Sequence, residues 1–339
     1  MHYIDKRPLV ASLLAAIAYV FCACSSDSPE IASPEMRFVA ADASRSIVSG
    51  INYEGSCFAI FGDMKFSTSS PVKVFHNVEV KYDGSAWNYA GAQYWFPDHE
   101  HSFVAVYPAK ALENIGEHQY SESKLSFEYA LPIVDDATLD KDETLDLLFA
   151  THRRMYKSGD DGTVSFKFDH LMSLVNLAPA FSDNKMGDED YILIHELVLS
   201  GINTKAQFDI VPAPRLSASQ TNDYVVDMTA QAPGNPVVTF AKPVKIKNQE
   251  GNLKLFANEE ALIMIPQAFS AEADAQIVLS YSVNEETTMK QVSLPLGNQN
   301  WLSGRSYIYN FTIERTGLKF DNCEINPWSE IKGDNIIVD

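Results

Sequence analysis

The side chains able to do chemistry are spread thinly along this chain. His99-Glu100-His101 offers two imidazoles to a metal, but two ligands leave a site incomplete, and Pro97-Asp98 before them marks an exposed turn. His195-Glu196 begins like a zinc-protease helix, yet Leu199 stands where H-E-x-x-H needs its second His, and the surrounding residues read as strand. His170 falls on an apolar face between Phe168 and Met172, which suits a core histidine better than a base. The sequence has neither a Gly-x-Ser-x-Gly elbow nor a Gly-x-Gly-x-x-Gly turn. The densest acidic stretch, Asp135, Asp136, Asp140, Asp142, Glu143 and Asp146, lacks the spacing and the Gly of an EF-hand and reads as a solvated face. Carboxylates are too numerous to exclude a glycosidase pair, which needs only proximity in space. Trp87, Trp95, Trp301 and Trp328 could include a sugar-stacking platform, although plugging sandwich cores explains them without a ligand. The expectation is therefore no enzyme, no metal and no cofactor.

The cysteines do different work. Leu9 to Ala23 is an apolar run of 15 residues behind Lys6 and Arg7, short for a bilayer span of about 20 and shaped like a secretory signal. It ends in Phe21-Cys22-Ala23-Cys24-Ser25, which resembles a bacterial lipobox with Cys24 as the acylated residue, although Phe21 and Cys22 depart from the usual Leu and Ala or Ser. Several acyl chains on one Cys exceed the marginal membrane hold of a single chain. The alternative is ordinary signal cleavage with an incidental thiol. Residues 24–35, rich in Ser, Pro and acids, read as a tether, and an acidic stretch behind a lipidated Cys resembles the surface-export signal of Bacteroidetes lipoproteins. Cys57 and Cys323 read as separate buried thiols, since a bridge would need their Cα atoms within about 7 Å.

These residues must be positioned by the rest of the chain. Its 339 residues carry 26 Lys and Arg against 45 Asp and Glu, a balance that argues against binding a phosphate backbone, so nucleic acid is not an expected partner. From Met36 the dominant pattern has period two, with turn residues at short intervals. Val72, Val74, His76, Val78, Val80 and Tyr82 are expected on one side of a strand that turns at Asp83-Gly84-Ser85. Val164, Phe166, Phe168, His170 and Met172 repeat the alternation, as do Tyr307, Tyr309, Phe311 and Ile313. Only Asp135 to Thr151 has acidic helix-start chemistry. Many strands and few helices predict an all-β chain of sandwiches. The polar segment Ser182 to Asp190 divides it into 36–182 and 183–339, behind a signal peptide at 1–23.

Six stretches in order carry a resemblance: Phe58-Ala59-Ile60-Phe61-Gly62; Tyr94-Trp95-Phe96-Pro97 with Phe103 to Pro108; Asp146 to Ala150; Phe168 to Val175; Ile265-Pro266-Gln267; and Trp301 to Phe311 with Pro327-Trp328. Together they resemble the fimbrillin-like (Mfa-like) proteins of Bacteroidetes over about residues 36 to 332. The resemblance implies a lipoprotein with two transthyretin-like β-sandwich domains in tandem. It also implies a subunit of a type V pilus at the outer membrane or cell surface, with other fimbrillin-like subunits as partners. In polymerising members an Arg-specific protease cuts behind the first strand, and the groove left behind accepts an extended segment of the next subunit. Here Met36 to Ala43 is the candidate first strand, with Met36, Phe38 and Ala40 as its marker residues, and Arg45-Ser46 is the cleavage candidate ahead of Arg37. The C-terminal Asp334 to Asp339 either donates to a neighbour or completes its own sheet. A second expectation stays open beside the first: a non-polymerising outer-membrane lipoprotein that anchors a pilus or binds a glycan or host ligand.

Overall fold

The computed structural model describes residues 33–40, 55–66, 69–115, 117–212, 224–257, 261–271, 274–314 and 317–328. Cys24 with the signal and most of the tether, Arg45 and Ser46, and the C-terminal segment Asp334 to Asp339 lie outside them. The first half contains β1 (Arg37–Ala40), β2 (Cys57–Lys65), β3 (Val72–Tyr82), β4 (Trp87–Tyr89), β5 (Glu100–Tyr107), the one-turn helix α1 (Ala111–Asn114), β6 (His118–Ser121) and β7 (Lys124–Ala130). It continues with β8 (Ile133–Val134), β9 (Thr138–Leu139), β10 (Leu148–Met155), β11 (Thr163–Phe166), β12 (Asp169–His170) and β13 (Ser173–Ser182). Then come β14 (Tyr191–Ser200), β15 (Ile202–Pro212), β16 (Tyr224–Gly234), β17 (Val237–Lys247), β18 (Leu262–Met264) and β19 (Gln267–Ala268). The chain ends in β20 (Gln276–Val283), β21 (Lys290–Pro295), β22 (Asn300–Trp301), β23 (Arg305–Glu314) and β24 (Gly317–Pro327).

The strands form packed sheets, the all-β sandwich arrangement that the period-two pattern predicts. One sheet runs β12-β10-β5-β2-β3-β4, and short β1 and β11 form a two-stranded parallel sheet. Phe58 and Ile60 of β2, Phe103 and Ala105 of β5, and Leu148 and Ala150 of β10 share a core with Phe38 of β1 and Val164 and Phe166 of β11. On the other face Ala59, Phe61, Val104, Val106 and Phe149 join a larger core containing Tyr120 and Phe127 of β6 and β7 and Phe208 of β15. Burial on both faces explains why β2 and β5 read as continuous apolar runs rather than alternating ones. The larger core extends to β21-β20-β14-β17-β9-β8 and β18-β13-β23-β24, where Tyr307, Tyr309, Phe311 and Ile313 are all buried.

Two expectations are corrected. The side-chain parity of β3 changes along its length: between Gly62↔Phe75 and Ile60↔Val78, β2 advances two residues and β3 three. Asn77 takes up the extra residue at φ 51°. Phe75 therefore faces the core and His76 is exposed, whereas strict alternation puts His76 with the valines. Asp135 to Thr151 does not start a helix. Asp135 and Asp136 have φ 48° and 63°, the left-handed pair of a tight hairpin joining β8 to β9. Acidic residues suit both a helix start and such a turn, and the β-rich flanks decide between them. Residues 183–190 form the loop between β13 and β14, and three ladders, β13 with β23, β7 with β15 and β9 with β17, join strands on either side of it. Asn248 Nδ2 donates to the carbonyls of Asp183 and Met186 and ties this loop down.

Candidate functional site

The seat of β1 is where sequence and structure meet. Period two puts Met36, Phe38 and Ala40 on one face, and all three are buried, Met36 completely. Phe38 enters an aromatic box. Its ring centroid lies 5.2 Å from that of Phe75, 5.6 Å from Tyr89, 5.5 Å from Phe103 and 5.9 Å from Phe166. Burying one such ring contributes roughly 1.5–3 kcal/mol from area alone. The floor of the box depends on Gly62: a Cβ there would lie 2.6 Å from Phe103 Cδ1 and 3.3 Å from Phe75 Cδ2, so only glycine lets both rings close beneath Phe38.

The backbone of β1 is held on one edge only. Its parallel ladder with β11 runs from Arg37↔Thr163 to Ala40↔Phe166. Towards β4 the links are sparse: Tyr89 Oη donates to the Met36 carbonyl at 2.9 Å, and Met36 N donates to Gln93 O at 2.8 Å. The N-terminal root of β1 is pinned by Trp95, whose backbone N–H donates to Pro34 O and whose indole Nε1 donates to Gly162 O at 2.9 Å. Gly162 sits at φ +74°, and a Cβ there would meet Glu35 O at 2.9 Å, so this close approach requires glycine. Trp95 stacks on Tyr156 at 4.9 Å, and the Arg154 guanidinium lies 4.4 Å from its ring centroid. Arg37 Nη2 donates to Asp161 O at 2.7 Å, which explains why the other Arg of this segment is engaged at the strand itself.

The remaining sequence candidates fall elsewhere. His101 is wholly buried, and burial pushes its pKa down to about 4 against the opposing effect of its bond to His99 O, so it is neutral near pH 7. Its Nδ1 lies 3.0 Å from His99 O, His99 Nδ1 lies 2.8 Å from Pro97 O, and Glu100 pairs with Arg153 at 2.7 Å. The triplet is thus split between backbone contacts and an ion pair. His170 is buried, with Nδ1 at 2.7 Å from Asp146 Oδ1 and its ring stacked on Trp328 at 3.9 Å. His195 lies on β14, with Nε2 at 2.9 Å from Ser282 Oγ. Cys57 and Cys323 are free thiols, and burial pushes each up to about 11. Among the described residues no group of three His, Cys, Asp or Glu side chains could hold a metal ion. Sequence reasoning picked out the strand but missed its seat. Phe75, Tyr89, Phe103, Phe166 and Gly62 come from five separate segments, and although the sequence motifs include Gly62, Phe103 and Phe166, no local pattern says that the five converge.

The arrangement defines a class: a β-sandwich protein with a short edge strand, β1, seated in an aromatic groove. The sequence profile of the fimbrillin-like family matches residues 54–328, and the chain belongs to that family. Among solved structures it is similar to a fimbrial protein from Bacteroides vulgatus at 15% identity and a TM-score of 0.58, covering 87% of this chain and 99% of that one. It is also similar to a candidate cell adhesion protein from Bacteroides ovatus at 18% identity and a TM-score of 0.52, covering 87% of this chain and 97% of that one. At these identities the likeness is one of fold. No curated protein matches the chain.

Proposed function

We propose that the chain is a structural or adhesive subunit of a type V-like surface pilus. It would be exported as a lipoprotein acylated at Cys24, held at the outer membrane, and assembled by strand exchange after cleavage between Arg45 and Ser46. One observation carries the reading: β1 is a four-residue strand, laddered on one edge, whose three inward side chains fill a groove built by other segments. Membership of the fimbrillin-like family supports it. Once β1 leaves, the groove presents unpaired β11 backbone and an empty aromatic box, which together would accept an extended segment of a second subunit. The partners are then other fimbrillin-like subunits, and an adhesive member adds a host or glycan ligand.

The experiment is limited digestion by a trypsin-like protease, followed by mass spectrometry and size-exclusion chromatography. Cleavage after Arg45 is expected to convert monomer into oligomers, while Arg45→Ala stays monomeric under the same protease. A cleaved form that keeps its strand and stays monomeric overturns the polymerising role. A second reading rests on the depth of the seat: with Met36 and Phe38 at 0% and 1% exposure, β1 stays in place, and the protein is a non-polymerising outer-membrane lipoprotein that anchors a pilus or binds a ligand.

A further inference from the structure

The β3–β4 hairpin is stiffer than its turn requires. Asp83 Oδ1 accepts the backbone N–H groups of Ser85 and Ala86 and the Ser85 hydroxyl, each at 2.8 Å, and its Oδ2 accepts Asn88 Nδ2 at 2.8 Å. Asn88 Nδ2 also reaches Ala86 O at 3.3 Å. Bonds to the backbone N–H groups, Ala86 first, hold the Asp83 carboxyl down at about 2, so the anion that organises the tip persists at any physiological pH. The hairpin presents aromatic rings towards β1. Tyr82 and Trp87 lie 5.3 Å apart, and Trp87 rests on Phe58 at 4.8 Å, which fixes one side of the indole while the residue stays half-buried.

Between this hairpin and β1 lies a cleft of about 410 Å³. Its aromatic wall is Tyr82, Trp87 and Tyr89, and its rim carries Glu35, Arg37 and Thr163. That volume falls within the range of small-molecule sites, and a rigid wall lowers the ordering cost of binding. The chemistry narrows the occupant. The rim has one acid and one base, and the Arg37 guanidinium already donates to Asp161 O, so nothing concentrates positive charge for an anion. The hydrogen bond from Tyr89 Oη to Met36 O bridges the two walls, so an extended peptide could not run through without breaking it. A compact ligand with an apolar face and many hydroxyls suits aromatic walls under a polar rim.

We propose that the cleft between β1 and the β3–β4 hairpin binds a pyranose unit of a glycan, the sugar face stacking on the Tyr82, Trp87 and Tyr89 wall and its hydroxyls meeting the rim. This deepens the ligand-binding part of the proposed function and rests on it, but it does not depend on strand exchange. The test uses the full mature chain labelled with 5-fluorotryptophan and titrated with methyl pyranosides of mannose, galactose, glucose, fucose and N-acetylglucosamine. Saturation-transfer and fluorine NMR are the readouts. At least one glycoside is expected to receive saturation and to shift the Trp87 resonance. Tyr82→Ala and Thr163→Val should each weaken binding at least about tenfold, the loss of one good contact group, whereas Phe320→Ala, on β24 outside the cleft lining, leaves it unchanged. The fluorine signal of the unsubstituted chain locates the site even if a variant fails to fold. Binding that shifts another tryptophan, or that survives both substitutions in folded protein, overturns the cleft but leaves ligand binding standing. No transfer to any glycoside also overturns the cleft, and adhesion of the immobilised chain to host proteins then decides the ligand-binding reading separately.

Discussion

Phe38 stacks on Phe166 at a centroid distance of 5.9 Å and an interplanar angle of 13°, and the two residues belong to the strands that share the β1–β11 ladder. Packing and backbone pairing of the N-terminal strand therefore converge on the same partner. Loosening one loosens the other.

Phe38→Ala should cost about 3–5 kcal/mol, the usual range for removing a buried aromatic ring, while Phe38→Leu should cost less. Urea unfolding would measure the loss. Hydrogen exchange should rise at Thr163 to Phe166 before it rises elsewhere, and an increase spread evenly over the sheets would show that β1 is not a separate unit.

Gly62→Ala places a methyl group where Phe103 and Phe75 now close, with 2.6 Å to the nearer ring. The rings must shift, at a cost of about 1–3 kcal/mol for overpacking. A melting temperature equal to that of the unsubstituted protein would show that the box has slack.

Cys24→Ala should abolish incorporation of labelled fatty acid and move the protein from the membrane to the soluble fraction, because a diacylated Cys is the anchor proposed here. Labelling that persists would reassign the lipidated residue.

Acidification has a signed expectation. His101 titrates near 6.5 when unfolded and about 4 when folded, so between those values the unfolded chain binds the extra proton. The stability that neutral buried His101 confers is complete above about pH 6.5 and is lost as pH falls towards 4. Asp63 works in the opposite direction from about pH 3.8 upward, because burial raises its pKa despite its bonds from Ser123, so the folded chain holds the extra proton there. His101→Phe should flatten the stability curve between pH 6.5 and 4, and an unchanged slope in urea titrations would remove His101 as its source.

Much of this was legible from the residues. The alternation of Tyr307, Tyr309, Phe311 and Ile313 is the burial pattern of β23, because a strand edge-paired on both sides has only two faces to offer. Met36, Phe38 and Ala40 were legible for the same reason. The aromatic box was not, since Phe75 reaches it only through the bulge at Asn77, and a bulge leaves no mark in hydrophobic period. The crossing ladders were hidden too: β7 finds β15 by long-range pairing, and local sequence specifies that β7 is a strand but not which edge it joins.

The parallel pairing of β1 bears on the order in which the molecule is made. Arg37 and Asp161, joined by a hydrogen bond, stand 124 residues apart, so β1 must wait for a strand far along the chain before it has a ladder. Closing so long a loop comes late, after local hairpins such as β3–β4 are in place. β1 is therefore expected to dock late, as β23 is against β13, which lies as far from it along the chain. The folding chain would pass through an interval with its groove already shaped and still vacant, and pulse-labelled hydrogen exchange during refolding, with Thr163 to Phe166 gaining protection after β2 and β5, is the order expected.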